Sequence, residues 1–449
     1  MTFSTDQQTL NDLNITGKPG QNSVYQLFNH TYTRGGANLL EQMFRSPLLE
    51  LETINKRSST FQFFSTVNLK FPFKTEHLDG AELYLSITDE RTMLNAEESG
   101  LANKFSQLFH QDGDYKIIYN GVLALLGLFH NLKDLASKLD AGASKKPYQQ
   151  RLQEMKDLFA DPELNVLPDL RQSGKLAHAE VAVYDKLLRF KSRQKFKAMM
   201  AWIYEIDVCI SVAEVAAKHQ FVFPVALPKG GQIVQINGFY HPLLKAAVGN
   251  DISITSEQNV IFLTGANMAG KSTLMKSLGI AMYLAHMGFP VAAQAMRFSV
   301  CDGIYSTINL PDDLNSGNSH FYAEVLRVKQ MAKELQQGKH LFIIFDELFR
   351  GTNVKDACEG TILITEAFAK KRNCLFLVSS HIIEAGEALQ TRCTNISYLY
   401  LPTIMEGNTP VYTYILKPGL TADRHGMLII NNEEILEIIR SRPKKNKKS

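Results

Sequence analysis

Lys271 and Ser272 close the segment Gly265-Ala-Asn-Met-Ala-Gly-Lys-Ser, which follows the apolar run VIFLT (260–264) and leads into a helical stretch. The pattern is GxxxxGK[ST], and a strand before it with a helix after it is the setting in which it grips phosphate. Glycines at 265 and 270 permit backbone conformations in which successive N–H groups converge on phosphate oxygens, and the positive end of the following helix adds to the attraction. The expected nucleotide cradle is Gly265, Ala266, Asn267, Met268, Ala269, Gly270, Lys271, Ser272 and Thr273. Lys271 is the candidate to reach the β- and γ-phosphates of ATP, and Ser272 the candidate ligand of Mg²⁺, a hard cation that prefers oxygen. A glycine-rich turn that merely ends in Lys-Ser is the plainer alternative, and the flanking strand and helix weigh against it.

Hydrolysis needs a metal anchor and a group that orients water. The run LFIIF (341–345) ends in Asp346-Glu347, so a buried strand delivers two adjacent carboxylates to the edge of a sheet where phosphate-binding folds hold their ligand. Asp346 is the candidate second Mg²⁺ anchor and Glu347 the candidate base; a helix-capping Asp-Glu is the alternative. LFLVSSH (375–381) ends a further apolar run in His381, placed to sense a γ-phosphate, although a lone histidine after a strand is more often a hydrogen-bonded loop residue.

These segments need a scaffold. After Phe223-Pro224, short runs rich in β-branched and aromatic residues (IVQI 233–236, VIFLT, LFIIF, LFLVSS) alternate with helical patterning, the signature of an α/β sheet covered on both faces. Before it, Val24 to about Lys218 carries helical periodicity, as in Leu39, Leu40, Met43 and Phe44, with a turn expected at DAGASKKP (140–147). The fold class is therefore an α-helical N-terminal half followed by an α/β phosphate-loop ATPase domain. Residues 1–20 are polar, end in Gly17-Lys-Pro-Gly20, and read as a loose arm.

With 449 residues, 45% hydrophobic, there is apolar material for two or three domains. Lys+Arg 48 against Asp+Glu 45 leaves +3, so any polyanion contact must come from local clusters. Five scattered cysteines argue against a zinc site and against a disulfide framework. The N-terminus lacks a signal pattern and the longest apolar stretch (117–129) is too short to span a bilayer, which points to a cytoplasmic protein with no membrane partner. The basic end RSRPKKNKKS reads as a solvated tail or an electrostatic helper.

One local cluster stands out: KLLRFKSRQKFK carries Lys186, Arg189, Lys191, Arg193, Lys195 and Lys197. On a helix Lys186, Arg189, Arg193 and Lys197 share one face, which could bind nucleic-acid phosphates without reading base edges. A solvated charged face is the competing reading.

The ordered motifs resemble the ATPase domain of the MutS family of DNA mismatch-repair proteins. TGANMAGKST (264–273) is similar to that family's TGPNMGGKST, DELFRGTN (346–353) to its DE-x-GRGT segment, SSH (379–381) to its switch-histidine motif, and NGFYHPLL (237–244) to the stretch opening the domain. DDLNSGNSHFYAEV (312–325) looks like the family's signature, which implies that Ser319 reaches a neighbouring subunit's nucleotide; VGND (248–251) resembles the segment beside adenine, which implies a role for Asn250. LFNHTYTRGGANLLEQMFRSPLLELETINKR (27–57) and YEIDVCISVAEVAAKHQFVFP (204–224) resemble the start of its core and the end of its lever. The implied organisation is an arm (1–22), helical core (23–110), lever helices with a reduced or absent clamp (111–222), ATPase domain (223–435) and basic tail (436–449).

The resemblance implies a homodimer with ATP and Mg²⁺ at interface sites, coupled to levers on duplex or branched DNA and serving repair or recombination. Only about twenty residues precede the core motif, so the mismatch-reading domain is expected to be missing, as are the connector and a full clamp. Ala266, Ala269 and His320 depart from the family pattern, as does Ser306-Thr-Ile-Asn309. Two other functions remain open: a MutS-related ATPase acting on ribosomes or other nucleic-acid structures, and an ABC-like nucleotide-gated interaction protein with no DNA substrate.

Overall fold

The computed structural model describes residues 2–17, 22–67, 69–94, 112–141, 146–165, 167–169, 175–308, 320–407, 409–421 and 435–440. The chain forms two compact units, one of residues 28–45 and 56–218, the other of 1–27, 46–55 and 219–449.

The first unit is helical. Its elements are α3 (Arg34–Arg45), most of α4 (Leu51–Val67), α5 (Thr75–Ser86), α6 (Asp112–Asp140), α7 (Gln149–Phe159), α8 (His178–Asp185) and α9 (Arg193–His219); α1 (Gln7–Asp12) and α2 (Val24–Phe28) precede them. The apolar run at 117–129 lies in α6 and faces the core through Val122, Leu125, Leu126, Leu128 and Phe129. No described helix is long and apolar enough to cross a membrane. Gly121 lets α6 close on α5, because a Cβ there would fall 2.3 Å from the Tyr84 side chain.

The start of α3 is fixed from a distance along the chain. Thr33 Oγ1 accepts from Gly36 N (2.8 Å), while Asp207 of α9 accepts from Tyr32 N (2.9 Å), Thr33 N (2.9 Å) and Thr33 Oγ1 (2.7 Å). The threonine caps the helix and a buried carboxylate orients the threonine. Burial raises the Asp207 pKa, with these hydrogen bonds working against it.

The second unit is α/β. Six strands, β12-β9-β4-β8-β7-β6, form one sheet, parallel except for β12 against β9. They are β4 (Val260–Gly265), β6 (Gly303–Thr307), β7 (Leu341–Asp346), β8 (Leu375–Ser379), β9 (Ile396–Leu401) and β12 (Lys417–Pro418). A four-stranded sheet, β1-β5-β2-β3, contains β1 (Val225–Leu227), β2 (Val234–Phe239), β3 (Asn250–Ile254) and β5 (Ala295–Ser299); β10 (Thr403–Glu406) and β11 (Thr409–Tyr412) make a hairpin. The helices are α10 (Lys271–His286), α11 (His320–Gln336), α12 (Val354–Ala369), α13 (Ile383–Arg392) and α14 (Ile435–Arg440).

The central strands are buried throughout, as expected of a parallel sheet covered on both faces. On one face Phe368 of α12 stacks on Phe376 (4.6 Å between centroids) and Phe345 (5.5 Å). On the other, Gly279 of α10 brings Ile344 of β7 and Leu13 within contact, positions where a Cβ would lie 3.1 and 2.6 Å from their methyls.

Leu13 belongs to the N-terminal segment, and its burial corrects the expectation of a loose arm. Leu13 and Ile15 are fully buried. Ser4 pairs in parallel with Gly303, donating to Asp302 O (2.8 Å) and accepting from Ile304 N (3.0 Å), so it covers the edge of β6. Asp6 caps α1 by accepting from Thr9 N (2.9 Å). The polar residues that suggested a solvated arm are the ones that bond to the sheet.

Candidate functional site

β4, β8 and β7 are adjacent and parallel, so their C-terminal ends bring Gly265, Ser379 and Asp346 to one edge. The chain leaves β4 through Gly265 (φ 150°) and enters α10 from Gly270 (φ 98°), both in territory costly for other residues; Met268 between them also has positive φ (69°). Lys271 folds back over the loop, its Nζ donating to Gly265 O (2.9 Å) and Ala266 O (3.3 Å) and standing 3.9 Å from Glu347 Oε1. Its side chain is buried, and that burial lowers its pKa although Glu347 and Asp346 pull it up.

Asp346 is gripped on both oxygens: Ser272 Oγ donates to Oδ2 (2.5 Å) and Ser379 Oγ to Oδ1 (2.5 Å). Burial raises its pKa, and the two hydroxyls counter the rise. Glu347 follows in a left-handed conformation (φ 59°) that turns its side chain from the strand direction. Its Oε2 lies 3.7 Å from His381 Nδ1 and 3.8 Å from Arg350. The neighbouring imidazole holds the Glu347 pKa below the usual range against burial, and Glu347 raises that of His381. Two adjacent carboxylates are thereby pushed in opposite directions, Asp346 up by burial and Glu347 down by its basic neighbours.

Ser379 was not among the expected site residues. The signal for it is the register of β7 and β8, which pairs Asp346 with Ser379 and is not written in either segment alone.

A cavity of about 540 Å³ opens beside the loop, lined by Ala266 through Thr273, Glu347, Asn250, His241 and Tyr414. Asn250 is in place at its wall, but its amide is occupied: Nδ2 donates to Tyr414 O (2.9 Å) and Oδ1 accepts from Leu416 N (2.7 Å). It ties two wall segments together. His241 lines the same cavity, its pKa lowered by burial and by Lys276, and Leu243 N donates to its Nδ1 (3.3 Å). That bond leaves the ring proton on Nε2 when the histidine is neutral. Ser319 lies outside the described residues.

The basic cluster departs from expectation. Residues 186–191 are π-helical, with Ser192 N bonded to Leu187 O (2.8 Å), so a continuous α-helical face does not exist there. Arg189 is turned inward, its side chain and that of Asp185 both fully buried and paired at 2.6 Å, with Tyr84 Oη donating to the same carboxylate (2.7 Å). Arg193 donates to Leu85 O (2.8 and 2.9 Å), Lys191 to Glu163 (2.5 Å), and Lys195 pairs with Asp161. Lys186 and Lys197 are exposed with no ion-pair partner among the described residues. Arg189 is thus withdrawn from the set of candidate phosphate contacts.

Comparisons with known proteins match two stretches of the chain. The family model described as MutS domain III matches residues 8–213, and that of MutS domain V matches residues 261–447. The first begins inside the docked N-terminal segment. Among curated proteins, DNA mismatch repair protein MutS of Halalkalibacterium halodurans is 27% identical over 292 residues, covering 62% of this chain and 33% of the relative. The chain therefore matches about a third of that relative's length. Two MutS domain models in their family order, over most of the sequence, show that this chain belongs to the MutS family.

Proposed function

We propose that this protein is a nucleotide-operated ATPase of the phosphate-loop class that works on DNA in repair or recombination. The observation that carries the reading is the convergence of Lys271 and Ser272 after β4 with Asp346 and Glu347 at the end of β7, beside a cavity of nucleotide size. ATP fits this site: the 265–270 loop offers backbone N–H groups at a helix N-terminus, and Lys271 is bonded to loop carbonyls that phosphate oxygens can replace. Mg²⁺ fits the oxygen pair Ser272 and Asp346, where it would neutralise charge on the phosphates.

Within that reading Lys271 binds the terminal phosphates, Asp346 and Ser272 hold the cation, and Glu347 accepts a proton from water. His381 keeps Glu347 ionised and oriented. The decisive experiment replaces Glu347 with Gln: phosphate release falls by about two to four orders of magnitude, as when a general base is removed, while nucleotide affinity stays within a few-fold. Unchanged turnover in this variant would refute the assignment. Homodimerisation, with Ser319 of one copy serving the other's nucleotide, belongs to the same proposal. Its check is the ATP dependence of mass by light scattering.

DNA is proposed as the substrate from family membership, with the helical unit as the contacting part. Competition among homoduplex, mismatched, branched and single-stranded DNA, with and without ATP, decides the preferred structure. Absence of salt-sensitive binding to all four would favour a nucleotide-gated interaction protein.

A further inference from the structure

Arg327 of α11 is nearly buried and is held from several sides. Its guanidinium pairs with both carboxylate oxygens of Asp6 and donates to Ser306 O (2.7 Å), Thr307 Oγ1 (3.2 Å) and Thr9 Oγ1 (3.4 Å). One helical turn of the arm later, Asp12 Oδ2 accepts from Ser306 Oγ and from Ile308 N, both at 2.8 Å. Two arm carboxylates therefore bind the end of β6 and the body of α11. Both elements wall the turn that carries the catalytic carboxylates: Thr307, Ile308, His320 and Glu324 line a small cleft with Asp346 and Glu347.

The link from α11 to that turn is direct. Glu324 lies three residues before Arg327, on the same side of the helix, and its Oε2 accepts from Gly351 N (3.3 Å). Gly351 has no room for a side chain, since a Cβ would stand 2.6 Å from Phe321 N. α11 and the 347–351 turn are thus in backbone contact, and a shift of one displaces the other. Rigid supports of this kind matter because displacing a catalytic group by about 1 Å can cost as much as a hundredfold in rate.

We propose that Asp6, Asp12 and Arg327 are positioning residues for ATP hydrolysis: the N-terminal arm locks β6 to α11 so that Glu324 holds the 347–351 turn, and with it Glu347, in place. The inference rests on the ATPase reading above and adds a part of the chain that touches no nucleotide. It gives the acidic side chains of α1 a role in rate and leaves nucleotide affinity to the 265–273 loop.

The test uses the full chain. Asp6→Asn preserves size and the cap on Thr9 but removes the charge opposite Arg327; Asp12→Asn does the same at β6, and Asp6→Glu keeps the charge. In the two Asn variants kcat for ATP falls about tenfold with KM and ADP affinity within twofold, amide exchange over 347–353 quickens, and Asp6→Glu recovers most of the rate. Unchanged kcat and exchange in both Asn variants, with wild type active, overturn the proposal. So does a fall in kcat that comes with an equal loss of ADP affinity and folding, because the arm is then only structural. A wild type that binds ATP but never turns it over refutes the ATPase reading itself, a different failure, and removes this proposal with it.

Discussion

Ser379 and Asp346 face each other across β8 and β7, and the serine hydroxyl donates to the carboxylate at 2.5 Å while Ser272 holds the other oxygen at the same distance. The proposed anchor for a cation is therefore oriented by two hydroxyls, only one of which belongs to the 265–273 loop. Ser379→Ala removes a hydrogen bond to a charged group, worth about 1.5–3 kcal/mol, without adding bulk. The Mg²⁺ concentration for half-maximal ATPase rate should rise about tenfold, and binding of nucleotide in the presence of a chelator should not change. Equal Mg²⁺ dependence in variant and wild type would show that Ser379 only packs.

Lys271 is a buried ammonium that bonds to two carbonyls of its own loop, and burial lowers its pKa. Replacement by Met removes the charge while filling the same channel. ATP affinity should drop by about a hundredfold or more, the loss of a strong charge-assisted contact to phosphate. In calorimetry without nucleotide the thermal midpoint should be unchanged or higher, because the folded protein no longer buries a charge. A large fall in the midpoint would mean that the lysine holds the loop together.

The Glu347–His381 pair makes stability depend on pH in a defined direction. Glu347 has its pKa depressed, so its contribution is present above the ordinary glutamate value and is lost as pH falls through the lower folded value. His381 has its pKa raised, so its contribution is full below the ordinary histidine value and disappears as pH rises through the higher folded value. Both conditions hold between about pH 4.5 and 6.5. The difference in thermal midpoint between wild type and His381→Gln should be largest in that window and shrink toward pH 9. A difference that grows with pH would contradict the pair.

What could be read from the chain followed the range of each signal. The loop, the carboxylates and the strands that carry them are local patterns, and VIFLT, LFIIF and LFLVS do lie in β4, β7 and β8. Asp6 and Arg327 are 321 positions apart, and nothing in a polar N-terminal string announces a buried partner so distant. Arg189 was misplaced for a different reason. Face assignment from charge treats a cation as solvent-seeking, and nothing in KLLRFK says that Arg189, one helical turn after Asp185, turns inward to share that carboxylate with Tyr84.

That burial separates two groups of cations that composition alone treats as one. Arg189 is fully buried with Asp185, so Arg189→Leu leaves an unpaired carboxylate inside the helical unit and should destabilise it by about 3–5 kcal/mol, seen as a lower urea midpoint. Lys186 and Lys197 are exposed, and replacing both with Ala should leave stability within about 0.5 kcal/mol. If the helical unit binds DNA through them, the slope of log affinity against log salt should become shallower by about 0.9 for each lysine that contacts a phosphate. Lys191 and Lys195 already pair with Glu163 and Asp161, so their removal should alter the slope less. An unchanged slope in the Lys186/Lys197 double variant, with DNA still bound, would move the contact surface to another part of the helical unit.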